Sequence, residues 1–203
     1  MMRVLLAEDQ AMVRGALAAL LGRERDIEVV AEVARGDAVV EVARRVHPDV
    51  ALLDIEMPGG NGLAAARELR SALPSCRVVI LTIFGRSGYL RRAMESGAAG
   101  FLLKDASASS LASALRRVMQ GERVVDPELA LQALAEGKNP LTPRECEVLS
   151  ATRSGLRHTQ IAAHLALSEG TIRNHLSAAI QKLGVRNRME AAHLAEQRGW
   201  LDI

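Results

Sequence analysis

The stretch that most constrains this chain is Val50-Ala51-Leu52-Leu53-Asp54-Ile55-Glu56-Met57-Pro58. Four apolar residues run without a break into a carboxylate, and Gly59 and Gly60 follow the proline. An apolar run of this kind suits a strand buried on both faces of a parallel sheet. The proline and glycines stop the strand and open a loop. Asp54 is therefore expected at the carboxyl end of a central strand, the edge where open α/β sheets place their chemistry. A polar residue there can also do no more than end a strand or begin a turn, so the rest of the chain has to decide.

Further strands read at Arg3 to Glu8, at Arg77 to Ile83 with Thr82 near its end, and at Gly100 to Leu103, running into Lys104. Ile27 to Val33 alternates apolar and acidic residues, which suits a strand nearer an edge. Helical spacing falls between these strands, at 11–21, 38–46, 61–73, 85–95 and 107–120. In the first of these helices Met12, Ala16, Leu17 and Leu20 recur near helical spacing. Five strand–helix alternations over the first 120 residues imply a parallel sheet with helices on both faces. Residues 121–139 change character and read as a linker with one short helix. Beyond them only helices are expected, near 143–154, 158–166, 169–183 and 187–198, the first opened by Thr142-Pro143.

Composition narrows the class of protein. The 203 residues allow one large domain or two small ones, and 49% hydrophobic with 25% charged residues is ordinary for a globular chain. Aromatics are only 2%, so aliphatic side chains must fill the cores. Cys76 and Cys146 form no redox or metal-ligand pattern. No apolar run approaches the roughly 18 residues of a membrane span. Glu8 and Asp9 come too early for a signal peptide, so a cytoplasmic protein is expected. The net charge of +2 alone points to no polyanion.

Four strand ends carry Glu8-Asp9, Asp54, Thr82 and Lys104. In a parallel sheet these ends share one edge. Three crowded carboxylates repel unless a cation lies between them, and oxygen-only donors favour Mg²⁺ over zinc. A lysine and a hydroxyl opposite would suit a phosphoryl group. The set reads as a phosphoryl acceptor with Asp54 as nucleophile.

Residues 3–120 resemble a response-regulator receiver domain. The resemblance rests on Ala7-Glu8-Asp9-Gln10, Asp54-Ile-Glu-Met-Pro58, Gly62, Ile80-Leu81-Thr82 and Gly100-Phe-Leu-Leu-Lys104-Asp105. It implies a five-stranded, doubly wound sheet in the order 2-1-3-4-5. It implies a phosphoryl group passed from a sensor histidine kinase to Asp54. Mg²⁺ would be held by Glu8, Asp9, Asp54 and the backbone carbonyl of Glu56. Thr82 and Lys104 would face the phosphoryl group, and Phe101 would be the switch aromatic. Two departures stand out: Glu8 where aspartate is commonest, and Asp105 where many receivers have proline. Glu56 and Phe84 fall at positions linked to the lifetime of the phosphorylated form.

A second constellation lies at 158–183, read as helix, turn, helix. Ser168 is placed to cap the second helix near Thr171. Ile172, Leu176, Ile180 and Leu183 share its inner side, leaving Thr171, Arg173, Asn174 and Ser177 outside. An exposed helix start with these groups suits a DNA major groove. From Ser168 to Arg188, four basic residues (Arg173, Lys182, Arg186, Arg188) face one acid, Glu169. That local excess suits phosphate contacts. A solvated helical face would look similar by pattern alone.

Leu141-Thr-Pro-Arg-Glu-Cys-Glu-Val-Leu149, Gln160-Ile-Ala162, Leu167-Ser168, Thr171-Ile-Arg-Asn-His175 and Lys182-Leu-Gly-Val-Arg-Asn-Arg188 resemble a LuxR-type four-helix DNA-binding domain. By that resemblance Arg173, Asn174 and Ser177 would face bases of double-stranded promoter DNA. Thr171, Lys182 and Arg188 would hold phosphates. Arg157 stands where the family often has a hydroxyl cap. The whole chain is thus similar to NarL/FixJ-type response regulators. Ala7-Glu-Asp-Gln10, Asp54-Ile-Glu-Met-Pro-Gly59, Phe84 to Tyr89 and Gly170-Thr-Ile-Arg-Asn174 look most like the DesR-like subgroup. The implied organisation is a receiver at 1–120, a linker at 121–139 and a DNA-binding domain at 140–203. The implied mechanism is a homodimer formed on phosphorylation, through the first and last receiver helices or through the face spanning Arg86–Glu95 and the last strand. Ala16, Ala19 and Ala112 favour the first face as small residues permitting close approach. Two other classes remain at this point, an aspartyl phosphatase or phosphotransferase and a DNA-binding scaffold indifferent to phosphorylation. His164, His175 and His193 read as packing or surface residues, and Trp200 as packing for the last helix.

Overall fold

A computed structural model describes residues 1–83, 87–105, 107–135 and 139–201. The expectation about Phe84, and the first residues of the expected helix from 85, lie outside the described residues. The chain divides into two compact units, one carrying the sheet and the other the last four helices.

The first unit is a parallel sheet. Its strands are β1 (Met2–Ala7), β2 (Ile27–Val33), β3 (Val50–Leu53), β4 (Arg77–Thr82), β5 (Gly100–Leu103) and β6 (Val124–Val125). They lie in the order β2-β1-β3-β4-β5-β6. Five were expected. The sixth is a two-residue strand at the start of the linker, pairing Val124 with Gly100 and Val125 with Phe101. It is too short to show an apolar period in the sequence. The alternating strand β2 is an edge strand, as its wetter residues require. The continuous apolar strand β3 lies between β1 and β4 with all four residues buried.

Strand alternation divides the core between two faces. Val4, Leu6, Val50, Leu52, Val79 and Leu81 pack with Leu21 of α1 (Ala11–Leu21) and with Leu111, Leu115 and Val118 of α5 (Ala108–Met119). Leu5, Ala51, Leu53 and Ile80 are equally buried and alternate onto the other face. There α2 (Val39–Val46) lies against β2, α3 (Gly62–Ala72) against β4, and the two helices pack together. The helix α4 (Ser87–Glu95) precedes β5.

The buried side of α1 differs from the expectation. Met12 is 88% exposed and Leu20 38%, whereas Leu17, Ala18 and Leu21 face the core. Helical spacing offered two overlapping apolar stripes, and sheet contact selected the one ending at Leu21. Ala112 is also corrected. It is 1% exposed inside the receiver core and offers no surface to a partner, while Ala16 and Ala19 are exposed.

The linker carries α6 (Pro127–Ala135). The second unit holds α7 (Pro143–Arg153), α8 (His158–His164), α9 (Glu169–Leu183) and α10 (Arg188–Gln197). Their core joins Val148, Leu149, Ile161, Ile172, Leu176, Ala191, Ala195 and Trp200, so the lone tryptophan packs as expected. Among the described residues no helix is long and apolar enough to cross a membrane.

Candidate functional site

The sheet register brings the expected acids to one edge. The Glu8 N–H donates to the Val33 carbonyl at the end of β2, and the Asp54 N–H donates to Ala7. The Lys104 N–H donates to the Thr82 carbonyl. Backbone ladders thus continue one residue past β1, β3 and β5, which brings Glu8, Asp54 and Lys104 to the same end as Thr82, the last residue of β4.

The side chains converge. The Lys104 ammonium lies 2.6 Å from Glu8 Oε2 and 2.9 Å from Asp54 Oδ2. Glu8, Asp54 and Thr82 are buried, and the Lys104 side chain is 8% exposed. The other Asp54 oxygen accepts from the Ile55 N–H at 2.8 Å. Asp9 is exposed beside them. Single carboxylate oxygens of Glu8, Asp9 and Asp54 all lie within 4.8 Å of one another.

Burial pushes the Glu8 carboxyl up, with Lys104 pulling it back and Asp54 adding to the rise. Asp54 is raised for the same first reason, burial, against the pull of Lys104. Burial works against the charge on Lys104, but the two carboxylates together outweigh it and hold the ammonium charged. The Lys104 ammonium thus bridges two of the three carboxylates, Glu8 and Asp54, with Asp9 close by. The surplus of negative oxygen, with no nitrogen or sulfur donor and one member open to solvent, is compatible with a hard divalent ion such as Mg²⁺.

Loops complete the pocket. Asn61 caps α3 by accepting from the Ala64 N–H at 2.8 Å. Gly62 donates its N–H to the Ile55 carbonyl at 2.9 Å. A Cβ on Gly62 would lie 1.9 Å from the Asp54 carbonyl oxygen, so only glycine lets the helix start this close to the acid. Glu56 is half-buried in this loop, and Phe101 is fully buried in β5. Arg14 was missed by the sequence reading. Its guanidinium donates to the Glu8 carbonyl at 2.7 Å and braces the Glu8–Asp9 turn. Helical spacing carries no signal for such a contact.

The helical unit presents a different surface. Ser168 caps α9, accepting from the Thr171 N–H at 3.1 Å, and the two hydroxyls lie 2.8 Å apart. Ala166 takes φ 53° in the turn before it, and Gly184 at φ 65° ends the helix. Ile172 and Leu176 are buried, while Arg173, Asn174 and Ser177 are exposed on the outer side. Thr171 and Arg188 are half-buried. The Lys182 ammonium lies 2.9 and 2.8 Å from the two oxygens of Glu145. Glu145 also closes the Thr142 capping box of α7, accepting from the Thr142 N–H at 2.8 Å. Burial raises the Glu145 carboxyl, but Lys182 and Thr142 together hold it below its usual value. Arg157 has no acceptor for the start of α8. Only the reverse half of a cap exists there, Gln160 accepting from the Arg157 N–H at 2.9 Å.

Comparisons with known proteins agree with this fold. Residues 4–116 match the model of the response regulator receiver domain, and residues 139–195 match that of the luxR family of bacterial regulatory proteins. The chain is 44% identical to the transcriptional regulatory protein DesR of Bacillus subtilis (strain 168), over 98% of this chain and 99% of that protein. It is 43% identical to the uncharacterized transcriptional regulatory protein YvfU of the same organism, over 99% and 100%. Among solved structures, the response regulator ChrA of a heme-sensing two-component system is 36% identical with a TM-score of 0.59, covering 98% of each chain. The response regulator RcsB in complex with DNA is 26% identical with a TM-score of 0.67, covering 97% of this chain and 98% of that one. With a receiver sheet, a converged acidic pocket and a helix-turn-helix unit in one chain, the protein belongs to the NarL/FixJ-type response regulators, transcription factors that join a receiver to a LuxR-type DNA-binding domain.

Proposed function

We propose that Asp54 is the phosphoacceptor of this regulator, and that its phosphorylation by a sensor histidine kinase controls dimerisation and promoter binding. The observation that carries this reading is the Lys104 ammonium bridging two buried carboxylates, Glu8 just past the end of β1 and Asp54 just past the end of β3. A carboxylate oxygen of Asp54 attacks phosphorus, the P–N bond to the donor imidazole breaks, and the imidazole leaves. Lys104 is placed to turn from Asp54 towards the new phosphoryl oxygens. Thr82 offers a hydroxyl on the neighbouring strand end, and Phe101 is the buried aromatic whose position responds. Glu8, Asp9, Asp54 and the Glu56 backbone carbonyl would hold Mg²⁺, which when bound supplies positive charge beside the transferring group. No reaction is assigned beyond magnesium-dependent self-phosphorylation and autodephosphorylation.

The boundaries proposed are 1–120 for the receiver, 121–139 for the linker and 140–203 for the DNA-binding domain. Arg173, Asn174 and Ser177 are assigned to bases, with Thr171, Lys182 and Arg188 nearer phosphates. Pairing is assigned to α1 and α5, where Ala16 and Ala19 are exposed. It would set two copies of α9 about one DNA turn, roughly 34 Å, apart. The test treats the protein with acetyl phosphate and Mg²⁺ and follows mass, oligomeric state and DNA binding together. Gain of one phosphoryl group, dimerisation and tighter DNA binding are expected, all absent in Asp54→Asn. Unchanged DNA affinity and oligomeric state in that variant would favour a phosphorylation-independent scaffold.

A further inference from the structure

The turn after β2, Arg35-Gly36-Asp37, lies against the loop that follows the acidic strand end. Gly36 is buried and opens a single 3-10 turn, Gly36–Ala38. Its N–H donates to the Pro58 carbonyl at 3.0 Å. A Cβ on Gly36 would lie 1.7 Å from the Gly60 carbonyl oxygen and 2.4 Å from the Gly60 carbonyl carbon. Both atoms are backbone, so neither can step aside as a side chain would. On the opposing side of the contact, in the loop after β3, Gly59 takes φ +78°. A Cβ there would meet Asp37 Oδ2 at 2.4 Å and Arg35 Nη2 at 2.6 Å. Arg35 and Asp37 are themselves joined, Nε to Oδ1 at 3.1 Å and Nη2 to Oδ2 at 2.6 Å. Two turns therefore interlock through glycine backbone on both sides, with the ion pair closing over Gly59.

We infer that Gly36, with the Arg35–Asp37 pair, is a positioning element for the phosphoacceptor loop. It acts through the Pro58 carbonyl on the backbone of Glu56, two residues earlier. The inference rests on the assignment of the Glu56 carbonyl as a metal-facing oxygen. A main-chain oxygen has no rotamer to adjust. Its direction is set by the peptide plane, and hence by what pins the loop on either side. On one side Asp54 is pinned by Ala7 and Ile55 accepts from Gly62. Across the rest of the loop, 56–60, the Gly36 N–H to Pro58 bond is the backbone tie that reaches it from another element. The turn after β2 thus does for the main-chain oxygen what an outer-shell partner does for a side-chain ligand.

The test is calorimetric titration of Mg²⁺ into the unphosphorylated full-length protein, with no phosphoryl donor present. Gly36→Ala is expected to weaken Mg²⁺ binding about tenfold, the lower end of what losing an outer-shell partner costs a metal site. Leu21→Ala, in the core under α1, is the control for general destabilisation. It should lower the melting temperature and leave Mg²⁺ affinity within twofold. Should Gly36→Ala fail to fold, Gly60→Ala decides. A Cβ there meets no atom closer than 3.7 Å, but the backbone at φ +147° must move to accept it. It too is expected to weaken Mg²⁺ binding. A folded Gly36→Ala, or Gly60→Ala in its place, with unchanged affinity overturns the inference while leaving the acidic site intact. Asp54→Asn in parallel tests the site. If neither the wild type nor Asp54→Asn takes up Mg²⁺, both the site and its brace are wrong.

Discussion

The pocket at the carboxyl end of the sheet and the outer face of α9 both carry charge, and they hold it in opposite ways. In the pocket, Glu8, Asp54 and Lys104 are withdrawn from water and fixed by backbone ladders and by one another. On α9, Arg173 and Asn174 extend into solvent from a helix whose other side supplies the core. Buried charge costs several kcal/mol per ion unless it is paired, so Glu8 and Asp54, sharing Lys104 with Asp9 close by, leave the pocket short of positive charge. Exposed charge costs little and stays available, so α9 can meet a polyanion without first breaking anything. A chemical switch needs the first arrangement, and a DNA contact needs the second. Glu145 and Lys182 stand between the two. The acid is buried in the first turn of α7 and the base, at the end of α9, is about one-third exposed.

Removing the cation from the buried pair tests the contrast most severely. Lys104→Met leaves Glu8 and Asp54 facing each other without a countercharge, and stripping one partner from a buried pair costs about 3–5 kcal/mol. Amide hydrogen exchange in β3 and β4, measured without divalent ions, should show that loss, and added Mg²⁺ should restore part of it. Protection unchanged in the absence of metal would mean that the pocket is not under charge strain.

The same substitution logic gives a different result on α9. Arg173→Ala should cost about 1–3 kcal/mol of affinity for duplexes selected by the wild-type protein, the value of one good base contact. Its melting temperature should stay at the wild-type value, since surface changes away from special features stay within about 0.5 kcal/mol. A stability loss as large as the affinity loss would remove the distinction between the two regions.

The intermediate pair should give an intermediate effect. Lys182 and Thr142 depress the Glu145 carboxyl in the folded unit. Its contribution is therefore fully present above the ordinary value of 4.5 and is lost as pH falls through the lower folded value. Glu145→Gln should cost about 1 kcal/mol near neutral pH, a charged hydrogen bond discounted for the exposure of Lys182. It should also flatten the acid limb of the unfolding curve. The emission of Trp200, which sits in this core, reads the helical unit by itself.

The smallest effect belongs to charge that is wholly at the surface. The Arg116 guanidinium holds the Asp26 carboxyl down at about 2. An NMR titration should find that midpoint, and Arg116→Ala should return it towards 3.8 with the fold unmoved.

What could be read in advance follows the same division. Strand ends are local features, so the apolar run into Asp54 and the polar ends at Glu8, Thr82 and Lys104 announced a shared edge. The Ser168 cap and the inward Ile172 and Leu176 were likewise written in helical spacing. Contacts between distant segments left no local trace. Nothing around Gly36 marks its contact with Pro58 and Gly60, and Glu145 and Lys182 are 37 positions apart. Val124 and Val125 pair with β5 because the linker happens to return beside Gly100. On α1, two apolar stripes competed, and only packing against the sheet could choose between them.

The central claim is that one side chain, Asp54, receives the phosphoryl group. Borohydride reduction of the acetyl-phosphate-treated protein marks an acyl phosphate by converting its aspartate to homoserine, which peptide mass mapping then locates. The account expects homoserine at position 54 alone, formed only with Mg²⁺ present. Homoserine at Asp9 or at any other position, or none at all from a folded protein, would contradict it.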